Sequence, residues 1–539
     1  MAKKNKAVKS PKLTFTVNHA LVTLYTILMF TLFPLFLTDF YQSARRDKFW
    51  LYVVLTGVVG VTVGIILLCQ QFTKTSAKGS QQIHKDPFSL NLTDIGILAF
   101  LGVTLISAIG ATIVAENPGQ AFEKLLLGSY GRNMGLLTIL IITICYFIVS
   151  RFFYYSKYVI YCMFIGMTIM SFVAIVNFYH IDILGIFAHY KTNENVQINF
   201  TSTIGNKNYL SAMITVALPF SVGLAVATKD KILRILAYIS TGLQFMALLV
   251  ATSDGGFLGC FAAFAVMLII LSRDRIKLSK FFFCLAIMMA SAKLLWLFDL
   301  MMHKNNKGYT SFSEVFVYNH FIFALIPVFF ALAAFFALSK AEILEKYTFV
   351  ISVALVSLGV VAVAAMFIYY SIIDTESTLG SFARFFRFNE RWGTHRGYFW
   401  IKAFDRMKTF NFREIMFGTG PDTFYNAFMP YFDELAKRFG DSSTNAAHNV
   451  YINYLVTVGF TGIATYLLFI GSAIYNGIKN SKINPLALMC IGVIIAYTTQ
   501  DIVNIANPVN TPWLIMFIAL SESVRVKANS TERLLEVNF

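Results

Sequence analysis

Apolar runs of about 20 residues recur from residue 20 to residue 524, and that is the length a helix needs to cross the hydrocarbon of a bilayer. A water-soluble protein of 539 residues has no need of such runs, so the chain is expected to be an integral membrane protein. By this criterion about fourteen spans are predicted, near 20–38, 50–69, 92–114, 133–150, 157–178, 208–227, 232–251, 255–272, 280–298, 316–338, 347–371, 449–475, 485–503 and 511–524. The fold class is all-α: a multi-span bundle of about 12–14 transmembrane helices, interrupted by one long polar stretch near its C-terminal end.

Composition agrees, with 57% hydrophobic and only 13% charged residues. A basic N-terminus carrying Lys3, Lys4, Lys6, Lys9 and Lys12 leads into the first run without a small-residue cleavage pattern, so that run is expected as a retained span. The formal charge of +16 is scattered over short loops, which fits a membrane-orientation signal and gives no nucleic-acid surface. All six cysteines fall inside apolar runs and are expected to be packing residues.

Charge separates alternate loops. The N-terminus, Lys74/Lys78/Lys85, Arg151/Lys157, Lys229/Lys231/Arg234, Arg273/Arg275/Lys277/Lys280, Lys340/Lys346, Lys479/Lys482 and Arg525/Lys527/Arg533 fall on one side, expected to be cytoplasmic. Both termini are then cytoplasmic, and a multi-pass protein of the cytoplasmic (inner) membrane carries its long 372–448 loop outside. Arg45, Arg46 and Lys48 break the rule. Three regions follow: bundle over 1–371, extracytoplasmic loop over 372–448, bundle again over 449–539.

Within the long loop, Arg384, Arg387 and Arg391 recur at i, i+3, i+7, a spacing that places them on one helical face. Trp392-Gly393-Thr394-His395 breaks that run. Beyond it Phe399, Trp400, Ala403, Phe404, Met407 and Phe410 fall opposite Lys402, Asp405, Arg406 and Lys408, which predicts an amphipathic helix on the membrane surface or against the bundle. Pro421 suits the first position of a further short helix. Other outer helix ends carry Arg132 and Lys207, where a cation opposes the helix dipole unless an anion lies nearby, making both candidate anion contacts. The Thr252-Ser253-Asp254-Gly255-Gly256 turn, by contrast, reads equally well as plain helix capping.

His448 closes the loop, at the expected outer end of the next span. There the helix dipole disfavours positive charge, so the imidazole is expected neutral and able to accept a proton. Neighbouring guanidinium groups supply permanently charged forks that grip phosphate oxygens and stabilise charge on a leaving group. No second His lies at i+3 or i+4, and Asp433, Glu434 and Asp441 have no metal-ligand spacing with it, so no metal or other cofactor is expected.

At these residues the chain resembles the O-antigen ligase and polysaccharide polymerase superfamily. The resemblance lies in His448-Asn449 leading to Gly459 and Gly462, in Gly393 to Trp400 around Arg396, and in the Gly418-x-Gly420 turn to Phe424, with weaker likeness at Gly131-Arg132-x-x-Gly135 and Gly205-Asn206-x-Asn208-Tyr209. It implies a glycosyltransferase of the C class that moves a glycan from an undecaprenyl diphosphate donor to a hydroxyl of a glycan or glycolipid acceptor, without metal and with inversion. His448 is then the general base and Arg396 the diphosphate contact, while Arg132, Lys207, Arg384, Arg387, Arg391 and Asn449 are candidate substrate contacts. Many ligases show Ser-Arg-Gly where this chain has Ser253-Asp254-Gly255. The alternative is a lipid-linked oligosaccharide flippase, which would need charges along a path inside the bilayer, and the predicted spans are almost free of them.

Overall fold

The computed structural model describes residues 16–38, 43–76, 89–129, 131–185, 202–302, 308–339, 343–376, 383–482 and 484–529. The basic N-terminal segment, Lys78, Lys85 and Arg533 lie outside the described residues, as do the side chains of Arg384 and Lys527. Among the described residues every regular element is helical, and each predicted run contains a helix. Ten helices are long and apolar enough to cross a membrane, and three more of slightly shorter length, Leu136–Phe152, Gly255–Leu271 and Pro485–Gln500, are also apolar. Thr511–Asn529 follows as the last helix. The protein is an all-α, multi-span membrane protein.

Burial separates inner from outer helices. Lys207–Ala227 has 94% of its apolar window buried and packs between Lys231–Val250 and Pro485–Gln500, whereas the window within Glu345–Ile373 is 6% buried. The first is the bundle centre and the second presents its side chains outward, as a lipid-facing helix does. Close crossings rest on small residues: a side chain on Gly96 would run into the backbone of Phe469, so Leu92–Ile113 and Gly459–Ser481 approach at backbone distance.

Charges buried in the helices are bonded near helix ends. Asp94 pairs with Arg151 at 2.8 Å and accepts from Tyr146 Oη at 2.7 Å, while Glu522 pairs with Arg525 at 2.8 Å and accepts from Asn91 and Asn476 at 2.9 Å. This knot ties four helices at the end opposite the long loop. Lys293 donates to the carbonyls of Val317 and Asn319, both at 2.8 Å, where the Ser311–Tyr318 helix ends with unpaired carbonyls. The spans are therefore less free of charge than hydropathy suggests, and these charges act as inter-helix bonds. Lys48, one of the rule-breaking cations, is fully buried and donates to the carbonyls of Phe36 and Thr203. Cys69 also departs from expectation, being exposed.

Two features of the long loop correct the sequence reading. The amphipathic helix Trp392–Met407 does not spread its apolar face on a membrane surface. Tyr398, Phe399 and Ala403 are buried against Phe424, Phe428 and Leu435 of the loop's own short helices, with Phe404 left exposed. The predicted 449–475 span is two helices, Val450–Thr457 and Gly459–Ser481, and Ile452 and Val456 of the first complete the loop's core. The break falls at Gly459, whose φ of +76° an L side chain rarely adopts.

The turn that follows Phe412–Phe417 locks this core to the bundle. Thr419 and Gly420 donate their amides to the carbonyls of Val456 and Thr457 at 3.1 and 2.9 Å, satisfying groups that the short helix leaves open at its C-terminus. Gly418 makes this possible, with φ +74° and ψ −172° and a backbone pressed on Thr457 and Val458. That conformation is essentially restricted to glycine. Gly418→Ala is expected to cost at least ~1–3 kcal/mol from backbone strain alone and to lower the melting temperature of the detergent-solubilised protein; an unchanged melting temperature would contradict this packing.

Candidate active site

Three consecutive left-handed residues, Gly393, Thr394 and His395, turn the chain sharply into the helix carrying Arg396. The turn is held on one side by Trp392 Nε1 donating to the Phe385 carbonyl at 3.0 Å and on the other by a 2.9 Å contact between His395 Nδ1 and the Asp441 carboxylate. Arg396, Phe399 and Trp400 follow at i, i+3 and i+4, one face of a helix. Their common target is the segment before Val450. Phe399 stacks on the His448 ring with centroids 5.9 Å apart, and Trp400 Nε1 donates to the Ala447 carbonyl at 3.0 Å.

His448 has φ +51°, an uncommon conformation for a non-glycine residue, and the chain on both sides of it is bonded. Ala447 N donates to Asn453 Oδ1, Val450 N donates to the Asp501 carbonyl at 2.9 Å, and Asn449 caps the helix by accepting from Ile452 N at 3.0 Å. Strain of this kind persists where the surroundings over-determine it, and functional sites are where it concentrates.

Beneath the ring lies a buried ion pair. Arg132, 4% exposed, places Nε 3.1 Å from Asp422 Oδ1 and donates Nη1 to the Asn445 carbonyl at 2.9 Å and Nη2 to the Ala506 carbonyl at 3.1 Å. Asp422 also accepts from the amides of Ser129 and Met134 at 3.1 and 3.3 Å. One guanidinium thus joins the Gly131–Gly135 turn, the Gly418–Phe424 turn, the His448 segment and the 501–510 loop. A void with room for about one water lies beside the pair, lined in part by Asn453 and Thr457. Arg45, another of the rule-breaking cations, contributes its field to Asp422.

The His448 imidazole is neutral, for a reason other than the expected one. It precedes the N-cap of a short helix, and burial, followed by the positive charges of Arg396 and then Arg132, pushes it down to about 3. Burial also lowers Arg396 from the usual guanidinium range, opposed by the charge of Asp254. For Asp422, burial outweighs Arg132 and the two amides and pushes the carboxyl up to about 6. In front of His448 opens a cleft of about 320 Å³ lined by Tyr425, Ser443, Thr444 and Asn445.

The remaining sequence candidates are placed less centrally. Lys207 opens the Lys207–Ala227 helix, next to Asn208, which accepts from Ser253 Oγ at 2.9 Å. Arg384, Arg387 and Arg391 do not share a helical face: the helix covers Ala383–Phe386 alone, because the Phe388 amide turns away to Ser371 Oγ. Arg387 donates to the Asp374 carbonyl at 3.4 Å, and Arg391 is exposed. Asp422, Arg45, Tyr425 and the 443–445 cleft wall went unselected. Asp422 lay inside a recognised turn motif, but no local signal in the sequence pairs it with Arg132, 290 positions away.

Residues 321–467, which include Arg396, Asp422 and His448, match the family model described as O-antigen ligase. The chain is similar to that family over this stretch, and the likeness supports an O-antigen ligase- or polymerase-like function. No curated protein matches the chain. Arg132 and the 501–510 loop lie outside the matched residues and are joined to them by the Arg132–Asp422 pair and the bond from Val450 N to the Asp501 carbonyl.

Because burial keeps His448 neutral down to about pH 3 while Asp422 takes up a proton near pH 6, loss of any activity on acidification is assigned to the Arg132–Asp422 pair. Protonation as pH falls through about 6 removes the charge that holds Arg132. In a pH–rate profile, kcat/KM is expected to fall below about pH 6, and Asp422→Asn to be less active throughout with that limb gone. A limb near 6.5 that survives in Asp422→Asn would show His448 titrating and contradict its burial.

Proposed function

We propose that this protein is a metal-independent membrane glycosyltransferase that moves a glycan from an undecaprenyl-diphosphate-linked donor to an acceptor hydroxyl on the outer side of the cytoplasmic membrane. The observation that carries the reading is a neutral His448 on the wall of an open cleft and within the field of Arg396, both inside the matched residues. The loop-charge asymmetry supports the outward placement of that cleft.

In this reading the acceptor hydroxyl enters the cleft beside Tyr425 and Asn445 and gives its proton to His448. Its oxygen forms the new bond to the anomeric carbon while the bond from that carbon to the diphosphate oxygen breaks, and the lipid diphosphate leaves against Arg396. An imidazole lowered to about 3 is a weak base; burial is the larger cause and the charges of Arg396 and Arg132 the smaller. An arriving diphosphate offsets those two charges, so donor binding raises the basicity of His448. Arg396 supplies the positive charge that a divalent cation provides in other diphosphate-cleaving sites. Arg132, fixed by Asp422 and two carbonyls, acts mainly by shaping the His448 segment.

Purified protein incubated with lipid-linked glycan and acceptor tests the assignment. His448→Ala is expected to lower turnover ~10²- to 10⁴-fold, Arg396→Ala to raise donor KM as well as lower kcat, and EDTA to leave the rate unchanged. Full activity of His448→Ala would reassign the base, and loss of activity on chelation would overturn the metal-free mechanism.

A further inference from the structure

The turn leading into Arg396 is strained. Gly393, Thr394 and His395 all have φ between +60° and +66°, and for Thr394, a β-branched residue, that is a genuine outlier. Such a backbone persists only where its surroundings over-determine it. Arg396 leans back over Gly393, where a side chain would meet its Cδ at 3.2 Å, so the direction of the guanidinium is set by the turn behind it.

One short helix, Phe432–Phe439, braces that turn before, at and beyond the strained residues. Before it, Arg438 pairs with Glu390, whose carbonyl accepts from Tyr398 N at 3.1 Å and so closes the turn. At it, the Phe439 ring lies against His395 with centroids 4.4 Å apart, and Asp441, just past the left-handed Gly440 cap, accepts from His395 Nδ1 at 2.9 Å. Beyond it, Lys402 reaches Glu434 at 2.9 Å, and Glu434 also pairs with Arg438 at 2.8 Å. The chain then runs from Asp441 to His448 through Ser443, Thr444 and Asn445 of the cleft wall. That wall has bonds of its own: Thr444 Oγ1 donates to the Ala446 carbonyl at 2.9 Å, and the Asn445 and Ala447 carbonyls accept from Arg132 and Trp400. Loss of the His395–Asp441 contact therefore frees the Arg396 turn and leaves the wall in place.

We propose that His395 is a positioning residue which, latched to Asp441, aims Arg396 at the lipid diphosphate and so sets affinity for the donor. The proposal rests on the diphosphate contact assigned to Arg396 above. His395 touches Asp441 and Phe439 and acts on the substrate only through its chain neighbour. The Asp441 carboxylate is half exposed, and a pair so open to water contributes little to stability. Its effect is to select a geometry: without the latch the left-handed backbone at 394 and 395 relaxes, and the guanidinium turns away with it. Because a guanidinium grips phosphate oxygens as a directional fork, a change of direction loses contact even though the charge remains.

The test measures binding of geranyl diphosphate to the full-length protein in detergent, with its melting temperature alongside. Asp441→Ala is expected to bind about tenfold more weakly, the scale of coupling between residues in contact, at an unchanged melting temperature. Asp441→Asn, whose amide oxygen still accepts from Nδ1, is expected to bind nearly as wild type does. His395→Gly, which tolerates the same backbone angle but lacks the ring, is expected to match Asp441→Ala, and the double variant to be no weaker than either single one. Charge alone acts in the opposite direction, since removing a carboxylate near an anion site strengthens anion binding, so a loss reports geometry. Unchanged or tighter binding by Asp441→Ala, or additive losses in the double variant, with Arg396→Ala still deficient, overturns the latch and leaves the Arg396 assignment standing. Equal binding by wild type and Arg396→Ala overturns both.

Discussion

The Arg132–Asp422 ion pair is the interaction on which the site depends. An arginine buried to 4% exposure is tolerated only where its charge and its N–H groups are met, and here one carboxylate and two carbonyls meet them. Those partners come from segments that are otherwise unconnected: the turn before Leu136, the turn after Phe417, the strained approach to Val450 and the loop before Thr511. Removing either charge would leave the other buried and unmatched, which is why the pair specifies a geometry rather than simply adding stability.

Around that anchor the loop behaves as a small domain inserted into the bundle. Its aromatic core is closed by Ile452 and Val456, so the short helix after His448 belongs to the loop by packing and to the bundle by its bond to Asp501. This double membership lets His448, proposed above as the base, be held on a loop as firmly as a residue on a span. It also explains the neutral imidazole: the Phe399 ring and the surrounding core remove water from it, and Arg396 and Arg132 add their fields on top. A surface histidine at a helix N-terminus would feel the dipole alone, a much smaller effect.

The opposite end of the molecule has the complementary design. There the Asp94–Arg151 and Glu522–Arg525 pairs, with Asn91 and Asn476, join four helices. Charges at that end hold the bundle together, whereas at the other end His448 lines an open cleft. This asymmetry favours enzyme over flippase, because among the described residues no chain of unbonded charges is laid out along the spans for a solute to follow.

The sequence by itself determined the elements and the chemistry on offer. Hydropathy located every long helix, because lipid demands about 20 apolar residues per crossing wherever the helix is packed, and the Gly393–Trp400 and His448–Gly462 patterns singled out Arg396 and His448. Tertiary structure decided what periodicity and local pattern leave open. It ended the Ala383–Phe386 helix before Arg387 and Arg391 could join a common face, broke the 449–475 run at Gly459, and turned the amphipathic helix inward. It also paired Arg132 with Asp422 across 290 positions. The physical reason is range: burial in lipid acts on each segment independently, whereas the matching of a buried charge depends on which distant segment the fold brings against it.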